Sequence, residues 1–518
     1  MGESARRVFA RVVAAAPVAP EAPLLGTAVV LGGSVAGLLA ARVLADFAEQ
    51  VLVIEPDQLG PGSDGSSPVG GSGDEVSDLD AGGVDPSAGG ATAIPGARPG
   101  VPHGGQAHTL LPAGRMLLDR WFPGFTAQAA AAGATLVPAE RTVTYLDGEP
   151  VQAADPGEHL ISSRPFLEHQ IRLRTLAAAN VRLRTGRATG LRFDGIAVSA
   201  VRYALADGTE QIQPADLVVD AMGRSSRLAD WLERAGWERP PLTRLPGYLD
   251  YATGWFRAGP EESEIAGATA RYGEANRPAG IAAATANAVE GGRWMVLLAG
   301  HRADAPELDF AARCRAGLPP VFAEAAEGDP LGEIDIYLQA DCRRRDFHRL
   351  IRAPARLVAV GDAVAADHPV HRLGLSSAAL HACCLAEYLS GAPDLTRPAR
   401  AFFELQRVVV DAAWQVSTAA DTRRRPTPDR PLTWSSIDLA ALGDRARRRL
   451  SDWVEGQVGT AGARDPVIAG RRAAVRDLLA HPATLSTPAI ALRAVLVNQR
   501  ARLRRRDPAP PGLPAPAD

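Results

Sequence analysis

The feature that most limits what this chain can become lies near its amino end. Thr27 to Leu31 is apolar and β-branched and runs straight into Gly32-Gly33-Ser34-Val35-Ala36-Gly37. An apolar helical stretch follows from about Val35 to Phe47, then a second apolar strand, Val51 to Ile54, ending on Glu55. A continuous apolar run bounded by turn residues reads as a strand buried on both faces, which a parallel sheet covered by helices provides. A dinucleotide cradle needs a tight turn after such a strand, a side-chain-free approach for the pyrophosphate, and an acid about 20 residues on for the ribose hydroxyls. Gly32, Gly37 and Glu55 meet those needs. Ser34 stands where the GxGxxG pattern has glycine, and Gly33 lies one place early. A serine hydroxyl can still donate to phosphate. The plainer reading is a Gly-rich turn that serves packing alone.

Composition removes several function classes. Lys plus Arg number 56 against 59 Asp plus Glu, a net charge of -3, so there is no overall pull toward nucleic acid or anionic lipid. All 56 are arginine. Chemistry built on a lysine amine is therefore excluded: Schiff-base aldolases, pyridoxal-phosphate enzymes and P-loop NTPases. Cys314, Cys342, Cys383 and Cys384 show no CxxC spacing and the histidines no HExxH, so no metal centre is expected and a reducing cytoplasm is the expected compartment. Arg6-Arg7 ahead of the apolar Val12 to Ala16 is faintly similar to a twin-arginine export signal, but Pro17, Pro20 and Pro23 interrupt it. The uncharged run Leu24 to Ala41 is nearly long enough to span a bilayer, yet its glycines argue for strand, turn and helix. No membrane association is expected.

Further along, Leu110 to Phe125 and Arg164 to Ala178 have helical periodicity, and Thr142 to Tyr145 reads as a short strand. Ala215 to Ala221 is another apolar strand, entering Met222-Gly223-Arg224. Alternation from Leu242 to Tyr337 suits an antiparallel sheet. Leu357 to Val360 is again buried-strand sequence and delivers Gly361-Asp362 at its end, where open α/β sheets bind ligands. An aspartate there can accept hydrogen bonds from a polyol such as ribityl. Pro369 follows, and Gly374-Leu375-Ser376-Ser377 opens a helix whose first amides suit an anionic ring oxygen. Paired with the first cradle, this second motif points to FAD rather than NAD.

These motifs together resemble a known family. The order Gly32-Gly33-Ser34-Val35-Ala36-Gly37, Glu55, Ser163-Arg164-Pro165, Asp220-Ala221-Met222-Gly223-Arg224 and Gly361-Asp362 resembles the single-component flavoprotein monooxygenases of the p-hydroxybenzoate hydroxylase type. Val101-Pro102-His103-Gly104, Trp121-Phe122-Pro123-Gly124, Ser226-Arg227-Leu228-Ala229-Asp230-Trp231-Leu232 and Tyr251-Ala252-Thr253 look like the actinobacterial branch that tailors polyketides, polyether epoxidases included. The resemblance covers roughly Thr27 to Ala420, the insertion below aside.

It implies an α/β fold: a Rossmann-like FAD domain interleaved with a mainly antiparallel substrate sheet, and a helical C-terminal extension. The expected divisions are an N-terminal extension over 1–26, the first FAD-domain part over 27–241, a substrate domain over 242–350, the second FAD-domain part over 351–396, a helical region over 397–499 and a disordered tail over 500–518. Within the first part, 60–100 is a Gly-, Ser-, Asp- and Pro-rich insertion, either disordered or an ordered lid, and a short strand near 141–160 belongs to the substrate sheet.

By resemblance, Gly32, Ser34 and Gly37 hold the pyrophosphate, Glu55 the adenosine ribose, and Arg164 approaches the flavin. Asp220, Gly223 and Arg224 match a segment associated with pyrophosphate and NAD(P)H, and Asp362 the ribityl and pyrophosphate contact. Pro369 and Gly374 border the isoalloxazine ring. The family fold implies oxygen transfer to a small-molecule natural product, with NAD(P)H as reductant, by a monomer or homodimer.

Two positions depart from the family pattern. Gly105 stands where it has an arginine near the flavin, and Arg372 replaces the first glycine of a Gly-x-Gly turn against the ring. Arg372 either stacks on the flavin, supplies the lost cation, or takes the ring's space. His368 and His371 flank Pro369 as acid/base candidates or as ordinary polar lining. Trp255, Phe256, Trp294 and Tyr337 line an apolar pocket or pack the core. Weakened flavin contacts keep open a redox-neutral cyclase of Diels-Alder type on the same scaffold, accelerating ring closure by restricting a floppy substrate. A non-catalytic binding protein is the third reading.

Overall fold

The computed structural model describes residues 3–59, 98–151, 157–259, 263–300, 309–424 and 452–506. Most of the expected insertion and residues 507–518 of the expected tail lie outside the described residues.

The amino-terminal signal folds as its composition dictates. Leu25–Leu31 hydrogen-bonds in parallel to Ala48–Glu55 on one side and Leu217–Asp220 on the other. Leu357–Ala359 and Val181–Thr185 complete a five-stranded parallel sheet. Polar–apolar alternation is absent from the centres of these strands because both faces are covered: Val29, Val30, Val51, Val53, Val218, Val219 and Val358 are all fully buried. The helices Val35–Leu44, Arg164–Leu176 and Gly374–Ser390 supply the cover.

The second layer is an eight-stranded sheet among the described residues. Its order runs Ala365–Ala366, Asp335–Arg345, Leu242–Arg257, Arg293–Gly300, Ile281–Val289, Gly267–Arg271, Thr142–Leu146 and Glu149–Val151. Every pair is antiparallel except Gly267–Arg271 with Thr142–Leu146. The sheet therefore draws on both sides of the interval 242–350, as the strand expected near 141–160 implies. Its outer face packs against the short helices Phe310–Arg315 and Pro320–Ala325 through Phe322, Val321 and Cys314. Its inner face looks toward the parallel-sheet domain. A three-stranded antiparallel sheet, Arg187–Asp194, Ala197–Ala204 and Glu210–Pro214, has no counterpart in the sequence reading.

The N-terminal extension contributes a helix, Ala5–Ala14, that buries Phe9 and Val12 in the main core. One terminal expectation needs correction: a tail beginning at 500 starts several residues too early, since helix Pro488–Arg506 runs through Arg500 without interruption. Among the described residues no helix is long and apolar enough to cross a membrane.

Candidate functional site

The carboxyl ends of the parallel strands converge on one cleft facing the inner side of the eight-stranded sheet. Gly32 turns with φ +106°, where a Cβ would lie 2.5 Å from the Ala221 carbonyl oxygen, and a Cβ on Gly37 would lie 1.8 Å from the Gly32 carbonyl oxygen. Only glycine lets helix, strand and turn approach this closely. Gly361 has φ +62°, and a Cβ there would meet the Ala36 methyl at 2.5 Å. The two glycine turns, far apart in sequence, therefore lean on one another.

The Glu55 carboxylate accepts from Gly33 N at 2.6 Å, Asp57 N at 3.1 Å and Arg98 Nη1 at 3.0 Å. A carboxylate offers about four acceptor sites, so one remains for a ribose hydroxyl. Arg98 also donates to Asp57 at 2.6 Å and to Glu168 at 2.8 Å. Burial works against its charge, but Glu168 and Glu55 raise its pKa above the ordinary arginine value. The Ser34 hydroxyl donates to Glu168 Oε2 at 2.7 Å and accepts from Arg164 Nη2 at 3.1 Å. Its one proton thus goes to Glu168, and a phosphate here would meet Arg164 rather than the serine hydroxyl expected from sequence. Sequence reasoning missed both Arg98 and Glu168. Arg98 sits at the edge of the low-complexity insertion, and Glu168 reads as an ordinary helix position; neither carries a local signal.

Asp220 closes the strand Leu217–Asp220. It is 1% exposed, and its carboxylate accepts from Ser226 Oγ at 2.5 Å and Met222 N at 3.0 Å. Burial pushes its pKa up to about 6 against those bonds. It therefore braces the turn holding Gly223, at φ +65°, and Arg224. Arg224 donates from Nη2 to Asp341 Oδ1 at 2.7 Å, which ties the turn to the second sheet. Its Nη1 and the Nε of Arg164 are buried with no hydrogen-bond partner.

Asp362 makes no hydrogen bond among the described residues, and burial raises its pKa while Arg224, Arg164 and Arg343 oppose the rise. Arg164 and Arg224 also act on His103, whose pKa burial and those two cations bring down to about 4. These groups share one neighbourhood. Behind it, buried His381 accepts from Gly361 N at Nδ1, 2.8 Å away, and fixes the second turn. A Cβ on Gly223 or Gly374 would meet nothing within 4 Å, so there is open space beside both turns.

The aromatic candidates divide by strand alternation. Tyr251, Thr253 and Trp255 point to the inner face, where Tyr251 and Tyr337 pack with Val370 and Trp255 packs against the cluster of Val137, Ile161, Val289 and Met295. Tyr337 also contacts the His103 ring, with centroids 5.9 Å apart. Phe256 and Trp294 are register partners on the opposite face, in the core with Phe310 and Phe322. They do not line the cleft, contrary to the pocket expectation. Gly105 packs on Asp335, where a Cβ would come 2.2 Å from the carboxylate oxygen, and the next residue, Gln106, bonds to the Asp335 carbonyl and to Thr253 Oγ1. The segment that lacks the family arginine is thus fastened to the second sheet.

Pro369–His371 is a single 3-10 turn. His368 Nδ1 lies 3.5 Å from the Tyr251 hydroxyl, and the His371 pKa falls to about 3 through burial, Arg271, His368 and Arg372. A group so hard to protonate is a neutral imidazole, suited to accepting a proton only weakly. Arg372 adopts φ +60°, left-handed backbone that costs a side-chain-bearing residue about 1–2 kcal/mol. Its guanidinium reaches Thr269 Oγ1 at 3.1 Å and Thr109 Oγ1 at 3.4 Å. The side chain is thereby held against the second sheet.

The residues fit a flavin dinucleotide. The glycine cradle admits a pyrophosphate, Glu55 keeps an acceptor for ribose, Arg164 and Arg224 present unpartnered donors, and Asp362 presents an unpartnered acceptor.

No family model matches the chain. Protein Rv3254 of Mycobacterium tuberculosis (strain ATCC 25618 / H37Rv) is 29% identical over 377 residues, covering 68% of this chain and 71% of that protein. Among solved structures, the flavin-dependent brominase Bmp2 superposes with a TM-score of 0.55 at 14% identity, over 92% of this chain and 99% of that one. The p-nitrophenol 4-monooxygenase PnpA from Pseudomonas putida DLL-E4 gives a TM-score of 0.55 at 17% identity, over 88% and 99%. The chain has the fold of these enzymes, the α/β architecture of the p-hydroxybenzoate hydroxylase type, with a helical C-terminal part.

Proposed function

We propose that this chain is an FAD-dependent monooxygenase that epoxidises or hydroxylates a largely apolar natural-product intermediate of polyketide type, with NAD(P)H as reductant. The observation that carries the reading is the convergence of unpartnered donors on Arg164 and Arg224 with the free Asp362 carboxylate, at the mouth of the Gly32–Gly37 cradle. Buried guanidinium N–H groups left without acceptors are unfavourable in the protein alone and favourable beside a diphosphate. Flavin, when bound, supplies the redox chemistry and the activation of O2.

The chain's residues supply position and field. Glu55 orients the ribose, Arg164 and Arg224 neutralise phosphate charge, and Asp362 takes polyol hydroxyls. Tyr251, Tyr337 and Trp255 on the inner face exclude water from an apolar substrate. No acid/base pair is required of the protein, which agrees with neutral His103 and His371.

One observation favours the second reading, a redox-neutral cyclase. The turn expected against the flat ring carries Arg372 instead of glycine, and Gly105 carries no cation. A shape-directed ring closure would tolerate both. The visible spectrum of the purified protein, then NAD(P)H oxidation and product mass with candidate substrates under air, separates the two. Yellow protein, substrate-stimulated oxidation and a product heavier by one oxygen support the monooxygenase. Colourless protein that yields an isomer overturns it in favour of the cyclase.

A further inference from the structure

The last described part of the chain, 452–506, packs around a small core of its own. Val458, Ala461, Ile468, Ile490 and Ala494 form it, contributed by helix 452–461 and the helices Pro466–Arg476 and Pro488–Arg506. Leu478 in the main core fastens this unit to the rest of the molecule, as does the His481 ring edge-on to Phe9, with centroids 5.7 Å apart.

Helix Pro488–Arg506 is apolar on two opposite faces. Ile490 and Ala494 point into the small core and are 3% and 0% exposed. At about 100° per residue, Leu492, Leu496 and Leu503 fall within roughly 40° of one another on the far side. They are 62%, 44% and 63% exposed. A single exposed leucine needs no explanation, but a stripe of three is an apolar face with no packing partner among the described residues. Trp453, 51% exposed, stands on the adjoining helix one turn before Gln457, whose carbonyl oxygen accepts from Asn498 at 2.9 Å.

The flanks of the stripe are cationic. By the same spacing Arg493 and Arg500 fall on one side of it and Arg502 on the other, all three exposed. The helix contains six arginines and no acid. Across 452–506, ten arginines stand against Asp452, Glu455, Asp465 and Asp477. Asp465 already takes Arg493 at 2.9 Å and Asp477 takes Arg476 at 2.8 Å. The net charge of -3 over the whole chain, from which no pull toward anionic lipid is expected, hides this local concentration. Charge also selects among the possible occupants of the face. Two copies of the helix laid stripe to stripe would set arginine against arginine with no acid between them. An anionic bilayer surface suits both features, since its acyl boundary takes leucines and its headgroup phosphates take guanidinium groups.

We infer that the outward face of helix Pro488–Arg506 docks on an anionic lipid bilayer and lies in the plane of its surface. Leu492, Leu496 and Leu503 enter the acyl boundary, and Arg500 and Arg502 meet headgroup phosphates. The inference uses no residue of the cleft and does not depend on the flavin reading.

The test is co-sedimentation of the purified full chain with sucrose-loaded vesicles, made of phosphatidylcholine alone or with about 40 mol% phosphatidylglycerol. The expected result is at least about tenfold tighter binding to the anionic vesicles. Leu492→Gln, Leu496→Gln and Leu503→Gln combined should weaken that binding at least about tenfold and leave Tm unchanged, because none of the three side chains belongs to a core. Arg500→Gln with Arg502→Gln should reduce the preference for phosphatidylglycerol, again at unchanged Tm. No sedimentation with either vesicle, or equal binding to both, overturns the inference without any variant having to fold. Binding that the leucine variant retains in full overturns it by making the contact purely electrostatic. Tighter binding to duplex DNA than to anionic vesicles overturns it by assigning the arginines to nucleic acid. A dimer in light scattering that the leucine variant dissociates overturns it by assigning the face to a second copy of the chain.

Discussion

Single atoms decide most of what the cleft can hold. Adding a methyl at Gly37 forces a Cβ to within 1.8 Å of a backbone oxygen that cannot move without shifting the first strand. Gly37→Ala is therefore expected to lower stability by about 1–3 kcal/mol or more, the range for overpacking, and to abolish flavin retention. Thermal unfolding with the flavin-to-protein ratio checks both. Arg164 and Arg224 act differently, because each can be removed without stranding its acidic neighbour. Glu168 keeps Arg98, and Asp341 keeps Arg343 at 2.8 Å. Arg164→Met or Arg224→Met should leave the fold intact and weaken flavin about ten- to a hundredfold, since a hydrogen bond to a charged group contributes about 1.5–3 kcal/mol. Flavin fluorescence titration of the apoprotein reads this directly. An unchanged Kd in both variants would refute the assignment of their free N–H groups to phosphate.

At the scale of the element, strand alternation sorts residues that a linear reading lumps together. Phe256 stacks on Phe310, with ring centroids 5.9 Å apart, on the outer face of the sheet, whereas Tyr337 faces the cleft. Phe256→Ala is expected to cost about 3–5 kcal/mol of stability and leave KM for substrate unchanged. Tyr337→Ala should do the reverse, raising KM with a much smaller loss in Tm. Denaturant titration beside steady-state kinetics separates them, and a KM change in Phe256→Ala would return that ring to the pocket. The same comparison shows what the sequence made legible. Buried parallel strands announce themselves by continuous apolar runs, so the strands at Leu25, Ala48, Leu217 and Leu357 were foreseeable from composition. Which face a residue takes depends on register, and register is set by partners far away in the chain. Phe256 and Trp255 are neighbours of similar apolar character and opposite destinations for that reason. Arg98 and Glu168 were illegible for a related cause: their importance lies in meeting Glu55 and Ser34 across long sequence gaps.

For the whole molecule, burial of so many imidazoles sets how the fold responds to acid. Burial lowers the pKa of His103, His169 and His381 to about 4 and of His371 to about 3, and takes His108 well below the ordinary value. Between the unfolded histidine pKa of about 6.5 and pH 4, the unfolded chain takes up protons that the native chain refuses, so stability falls as pH falls. Asp220, at about 6, Asp367, at about 7, and Asp362 act in the opposite sense, because burial raises them and the native state holds their protons over part of the same window. Five histidines outweigh three aspartates, and the net slope is positive: Tm should decline steadily from pH 6.5 to 4. His381 isolates one contribution. It is fully buried, its shift comes from burial, and its Nδ1 does no more than accept the Gly361 N–H. His381→Asn keeps an acceptor near that position and removes the titrating ring. Urea unfolding at pH 6.5 and 4.5 should show the variant losing less stability than the parent by up to about 2–3 kcal/mol, the linkage of one proton over two pH units. Equal losses in the two proteins would mean that His381 takes up its proton in the native state, and that the Gly361 turn is held by some other means.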